Sequence, residues 1–227
     1  YTPNTSYDAF EIASAATLNS NANHTLVLNA GPTASDEDIY LNVDGELGSL
    51  TISNDAYTVF SRKDIDLKSD LTVNASNTLN MGSNALSVAG NITNNGTLTL
   101  TGNTTTLDGN SEQTISGSSV SFNNLTVNSS GVSLSAPIDV SGTLTMTSGD
   151  IISQTDVQNP YSGTGTNNSN SQTYAATNTI TLKDGATISG ASASSHVVGA
   201  VRRESSGTSA LEFPTGDGTN YRPVYLT

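Results

Sequence analysis

From about residue 64 to residue 152, apolar side chains come in pairs separated by one polar residue. The pairs are Leu71/Val73, Leu79/Met81, Leu86/Val88, Leu98/Leu100, Val120/Phe122, Leu125/Val127, Val132/Leu134, Ile138/Val140 and Leu144/Met146. Successive side chains on an extended backbone point to opposite faces, so each pair predicts a short strand with one apolar face and one face of Thr, Ser or Asn. Turn formers separate the pairs, among them Asn94-Asn95-Gly96, Gly102-Asn103, Asp108-Gly109 and Ser148-Gly149. The same alternation predicts strands at Thr25–Asn29, Ile39–Val43 and Leu50–Ser53, and again at Ile180–Leu182, Ala186–Ile188 and His196–Arg202.

A longer repeat overlies the short one. Leu71-Thr72-Val73, Leu98-Thr99-Leu100 and Leu125-Thr126-Val127 are spaced by 27 residues, and Leu144-Thr145-Met146 follows after 19. A recurring unit of this size is the mark of a solenoid. A β-sandwich is the rival, but its strands run longer and its core is more aromatic. Here Phe122 is the only aromatic residue between Phe60 and Tyr161. The expected fold is all-β: a right-handed parallel β-helix of eight or nine coils, about 40 Å long at the usual inter-strand spacing. Inward Asn at the bends is expected to form amide ladders.

Such a rod needs covered ends. Residues 7–19 place Ala9, Phe10, Ile12, Ala13, Ala16 and Leu18 in a helical pattern behind Ser6, which predicts a short N-terminal capping helix. Residues 159–173 are nearly devoid of apolar side chains and predict a long loop. The expected organisation is a lead-in with capping helix over 1–24, the β-helix over 25–202, and a junction or the start of a further module over 203–227.

Charge narrows the function. Of 227 residues, 20 are acidic and 7 basic, for a net charge of −13. Residues 1–70 carry −8, residues 71–180 carry five acids and no base, and residues 181–227 balance to zero. A long stretch without Lys or Arg has nothing to neutralise phosphates, which argues against nucleic acid and against anionic membrane surfaces. No run is long enough to span a bilayer as a helix, so no membrane insertion is expected. Cysteine is absent, which removes disulfides and thiolate metal sites. The chain opens on Tyr1 with no leader pattern, as expected of a segment of something longer.

The last thirty residues are the most distinctive. Val197-Val198-Gly199-Ala200-Val201-Arg202-Arg203 leads to Leu211-Glu212-Phe213-Pro214-Thr215-Gly216-Asp217-Gly218 and then to Tyr221-Arg222-Pro223-Val224. This order resembles the junction in large β-strand-repeat surface proteins, adhesin- or haemagglutinin-like, of bacteria that use the type IX secretion route. The resemblance implies a secreted, cell-surface, non-catalytic segment followed by a β-sandwich module, and it supplies no catalytic residues. In that setting Tyr221, Pro223, Val224, Tyr225 and Leu226 form a strand that a neighbouring module absorbs. In a chain without such a module, identical subunits would take up that strand head to tail, giving a filament. Rigid stalk and filament subunit are both open at this point.

Candidate chemistry is sparse. His24 and His196 stand outside any metal-ligand spacing, and no nucleotide or nucleophile-elbow motif is present. Parallel β-helices also house polysaccharide-degrading enzymes, but the central coils offer no cationic group, and only Asp108, Glu112, Asp139, Asp150 and Asp156 as acids. No cofactor is required; calcium is the ion that Asp36, Glu37, Asp38, Asp64 and Asp66 would suit, with a solvated acidic loop as the alternative. Rows of threonine, Thr97/Thr99/Thr101 and Thr143/Thr145/Thr147, raise an ice-binding or glycan-binding wall as another reading.

Overall fold

The computed structural model describes residues 7–12, 23–29, 39–43, 45–53, 58–153 and 178–227. Their strands stack in parallel into three walls that wind as one solenoid. The first wall holds Tyr7–Ile12, Ile39–Val43, Thr58–Ser61, Thr78–Asn80, Ile138–Val140, Ile180–Leu182 and Val201–Arg203. The second holds Glu46–Leu47, Ile65–Leu67, Leu86–Val88, Thr143–Ser148 and Thr187–Ser189. Two long strands, Thr97–Leu107 and Val120–Asn128, bend round the corner and serve both walls. The third wall is a nine-strand stack from Thr25–Leu28 to Thr215–Gly216. Every pairing within the three walls is parallel, which excludes the sandwich.

Register gives the true coil. Leu50 pairs with Leu71 and Leu71 with Ile92, steps of 21 residues; Ile92 to Ile115 takes 23, and Ile115 to Leu134 takes 19. The expected period of 27 is therefore corrected. Leu71 lies in the third wall, Leu98 in the first against Leu79, and Leu125 in the second against Leu144. All three walls use the same apolar-polar-apolar unit, so a coil plus one face looks like a repeat. The final interval, Leu125 to Leu144, is a real coil of 19 residues.

The core is what the alternation predicts. All eighteen members of the nine pairs are buried, while Thr72, Thr99, Thr126 and Thr145 between them stay partly exposed on the outer surface. Each buried Leu, Ile or Val contributes roughly 1.5–3 kcal/mol, and stacking like on like joins them into a continuous aliphatic column.

Some inward positions are polar; Thr105 and Ser153 bury hydroxyls without a partner among the described residues, whereas others are tied down. Gln113 is 2% exposed; its Nε2 donates to the carbonyls of Val88 (2.8 Å) and Gly90, and its Oε1 accepts the Gly109 N–H at 2.9 Å. A Cβ on Gly109 would lie 2.4 Å from the Ala89 carbonyl oxygen, so only glycine fits beside this amide. At the corner between the first and second walls an asparagine ladder climbs the rod. Asn84 donates to the Ser61 carbonyl (2.8 Å), Asn103 to that of Asn84 (3.1 Å) and Asn123 to that of Asn103 (3.4 Å).

The N-terminal expectation changes. Tyr7–Ile12 is a strand paired in parallel with Ile39–Val43, not the start of a helix; residues 13–19 of that expectation lie outside the described residues. A short amphipathic helix gains little in isolation, whereas the open edge of the Ile39–Val43 strand supplies backbone partners to an extended segment. The stack thus runs from Tyr7 to Gly216, past the boundaries drawn at 25 and 202. Connections are short at most corners. Beyond the lead-in between Ile12 and Thr25, the two longest, residues 29–38 and 153–179, both leave from the corner between the third and first walls. The expected loop at 159–173 falls in the second of these and lies outside the described residues.

Candidate interaction surfaces

The outer walls are chemically plain over the middle coils. In the second wall Ser87, Thr106, Thr126, Thr145 and Ser189 fall in one register column. The two threonine rows read from the sequence do not share a face: Thr97 and Thr99 belong to the first wall and Thr143 and Thr145 to the second. The lower first wall departs from this hydroxyl pattern. Tyr40 and Phe60 stack outward with ring centroids 5.7 Å apart, and the Arg62 guanidinium lies 3.9 Å from the Tyr40 ring centre. Sequence reading missed this column because the two rings are twenty residues apart, one coil.

Several acidic and amide side chains prove to be rungs between coils. Standing just before a strand, or in the case of Asn124 at the bend within the long strand Val120–Asn128, each accepts an N–H from the next coil. Asp64 accepts from Ala85 (2.7 Å), Asp70 from Asn91 (2.7 Å), Asn91 from Thr114 (2.8 Å), Asn124 from Thr143 (2.9 Å) and Asp150 from His196 (3.0 Å). Asp64 is thus engaged in backbone capping. Asp66 is engaged with Lys68, whose Nζ lies 2.8 Å from Asp66 Oδ2 and 3.0 Å from Glu46 Oε1. Among the described residues no group of three or more His, Asp or Glu side chains converges as a metal centre. Asp36, Glu37 and Asp38 lie outside the described residues.

His24 sits exposed before the first strand of the third wall, and its carbonyl accepts the Ser49 N–H at 2.6 Å. His196 is a different matter. It is fully buried, with Nδ1 3.1 Å from the Ser192 carbonyl and 3.2 Å from Asp150 Oδ1, and Nε2 accepting the Gly218 N–H at 3.2 Å. An Nε2 that accepts leaves the ring proton on Nδ1, where both neighbours are acceptors. A Cβ on Gly216 would lie 2.3 Å from this ring, which explains the glycine there. The turn that follows is held by Asp217, whose Oδ1 accepts the N–H groups of Thr219 (3.0 Å) and Asn220 (2.8 Å).

The C-terminal end closes the rod incompletely. In its last coil the first wall has Val201–Arg203 and the third has Thr215–Gly216, but the second wall stops one level lower at Thr187–Ser189. Arg203 takes an inward position above Leu182, where the coils below carry apolar side chains. Its guanidinium donates to the carbonyls of Ala186 (2.6 Å) and Glu212 (2.9 Å), so the charge is bonded rather than orphaned. Burial lowers its pKa from the ordinary arginine value, and Glu212 opposes that shift. Tyr221 donates its hydroxyl to Glu212, and burial first, then this bond, push its pKa well above the usual tyrosine value.

Val224–Leu226 does not hang free. It pairs antiparallel with Leu211–Phe213, yet Val224, Tyr225 and Leu226 remain 53%, 59% and 56% exposed. Tyr221 is half-buried over Glu212, and Pro223 is partly exposed. Beside this hairpin lies a groove of about 440 Å³, floored by Thr187 and Ile188 and walled by Arg203, Glu204, Leu211 and Glu212. Ile188 stacks over Leu144 at a core position but is only partly buried, because no strand lies above it. This gap was legible in residues 204–210, ESSGTSA, which hold no apolar pair where the second wall should continue.

No protein-family model, curated protein or solved structure matches this chain, so its class rests on the fold itself, a three-walled parallel β-solenoid.

Proposed function

We propose that this chain is a rigid, non-catalytic spacer: a right-handed β-helical rod that serves as a structural or adhesive segment of a secreted bacterial surface protein. The observation that carries this reading is the unbroken stacking of the third wall through nine strands over an aliphatic core. Such a stack sets a fixed length, roughly 4.8 Å per coil, and resists bending because each coil is bonded to the next along three walls. The outer surface over residues 71–180, acidic and without Lys or Arg, suits a solvated stalk better than a site that polarises a substrate. Export by the type IX route is what the likeness of the C-terminal junction to that family suggests, and calcium, where bound, would sit near Asp36–Asp38 or Asp64–Asp66 without being needed for the rod. A neighbouring module, surface glycans or identical subunits are the partners this role implies.

The test is twofold. Antibody raised against the chain should label intact producing cells, and label confined to permeabilised cells overturns the surface assignment. The purified rod should release no reducing ends from uronate-containing or neutral polysaccharides, and release that tracks the protein through purification overturns the non-catalytic one.

A second reading has one observation in its favour, the hydroxyl column Thr106, Thr126 and Thr145 on consecutive coils of the second wall. A flat hydroxyl wall is suited to an ordered water or glycan lattice. Thermal hysteresis abolished by Thr126→Leu would establish it.

A further inference from the structure

We infer that two copies of this chain join end to end through their C-terminal ends, the Val224–Leu226 strand of each lying along the open Thr187–Ser189 edge of the other. The inference deepens the spacer reading and rests on it, since it concerns how the rod is coupled.

The acceptor is specific. The second wall ends one level below its neighbours, so the upward backbone groups around Ile188 have no strand above them, and a core side chain faces a groove of about 440 Å³. An unpaired edge beside an apolar floor is the geometry that takes up an added strand: main-chain bonds hold it and alternate side chains fill the pocket. The donor is equally specific. Val224, Tyr225 and Leu226 are three of the four exposed large apolar side chains among the described residues, and they form a strand whose outer edge has no ladder partner there. Alternation gives Val224 and Leu226 one face, so both reach the floor at Ile188 while Tyr225 points away.

Charge selects the pairing. The groove is rimmed by Asp184, Glu204 and Glu212 against one base, Arg203, which is spent on carbonyls. The donor segment 221–227 has Arg222 as its only charged side chain, 71% exposed beside Asp217. At larger scale residues 181–227 are neutral, so two C-terminal ends meet without net repulsion. Donor and acceptor occupy the same end of the rod. Reciprocal exchange between two copies is then isologous and closes at a dimer, in place of the open fibre a head-to-tail contact would build.

The experiment uses the full chain, which has no native cysteine. Tyr225→Cys and Ser189→Cys both alter exposed side chains, which the added strand would bring to the same outward face, and leave the core intact. Mixed under oxidising conditions, the two variants should form a disulfide-linked heterodimer, and analytical ultracentrifugation of the parent chain should show a monomer–dimer equilibrium without larger species. Leu226→Glu should weaken the dimer by about tenfold or more, with an unchanged circular dichroism spectrum. Cross-linking of Tyr225→Cys to Glu46→Cys would instead show a head-to-tail joint and overturn the proposal, as would a chain that stays monomeric at hundreds of micromolar. Either failure leaves surface labelling and the absence of glycan cleavage untouched, so the spacer reading stands or falls separately.

Discussion

The middle coils and the C-terminal end of this rod solve the same problem in opposite ways. Between Leu71 and Met146 each inward side chain has a coil above and below, and aliphatic stacks suffice. Around the last described coil the chain turns to polar chemistry: Arg203 caps the column with guanidinium bonds, His196 anchors the Gly216–Gly218 turn, and Glu212 ties Tyr221. Repetition makes the middle strong but anonymous, since one coil is much like the next. Specificity is concentrated where repetition stops.

That contrast is sharpest for a charge placed in the middle. Leu125→Asp, a fully buried site between Thr105 and Leu144, should cost at least about 4 kcal/mol, whereas Thr126→Asp should change stability by less than about 0.5 kcal/mol. Urea melts of the two variants read the difference, and equal midpoints would break the register. Next comes the polar exception within the middle. Gln113→Leu keeps the volume but leaves the carbonyls of Val88 and Gly90 and the Gly109 N–H without their partner, for a loss of about 2–4 kcal/mol in the same melts. A neutral outcome would mean water reaches that corner.

At the end, effects should be smaller and local. Arg203→Met removes the bonds to Ala186 and Glu212, and hydrogen exchange should quicken over residues 204–226 while Leu71–Met146 stays protected. Exchange that rises along the whole rod would show that the end governs the middle. The mildest probe is pH. The Asp184 carboxyl is held below the ordinary range by the Ser206 hydroxyl and N–H, and that of Asp217 by the N–H groups of Asn220 and Thr219. Depressed carboxylates stabilise above their unfolded value of about 4 and lose that contribution as pH falls through the folded one. The Asp108 carboxyl in the middle is instead raised by burial, so on acidification NMR signals around Asp108 should shift first and those of residues 205–221 last, and simultaneous change would dissolve the distinction.

How much of this the sequence disclosed follows the same division. The middle was legible because period-two alternation with aliphatic residues at most inward sites leaves one answer. It failed where inward sites are polar: strands at Ile92–Asn94 and Gln113–Gly117 carry Asn94 and Gln113 inward, so the paired apolar signal is halved. The coil length misled because three walls share one code, and the distance from Leu71 to Leu98 crosses from one wall to another. The acids near Asp64 read as calcium candidates from composition, and the fold adds what composition cannot, that Asp64 accepts a backbone N–H from the next coil. At the end, the F-P-T-G-D-G stretch stood out as a motif, but its partner, His196, lies one coil back and revealed itself only in three dimensions.

The long connections at residues 29–38 and 153–179 leave the rod from a single corner, while the other two corners turn tightly or at moderate length. The strands that flank each connection keep their register: Ile39–Val43 and Ile180–Leu182 pair as the strands after short turns do. Ladder bonds in this fold run between coils and not along the connection, so chain length at that corner is decoupled from the stability of the stack. A tag inserted between Ile152 and Ile180 should therefore leave the pairing of Ile138, Ile180 and Val201 intact.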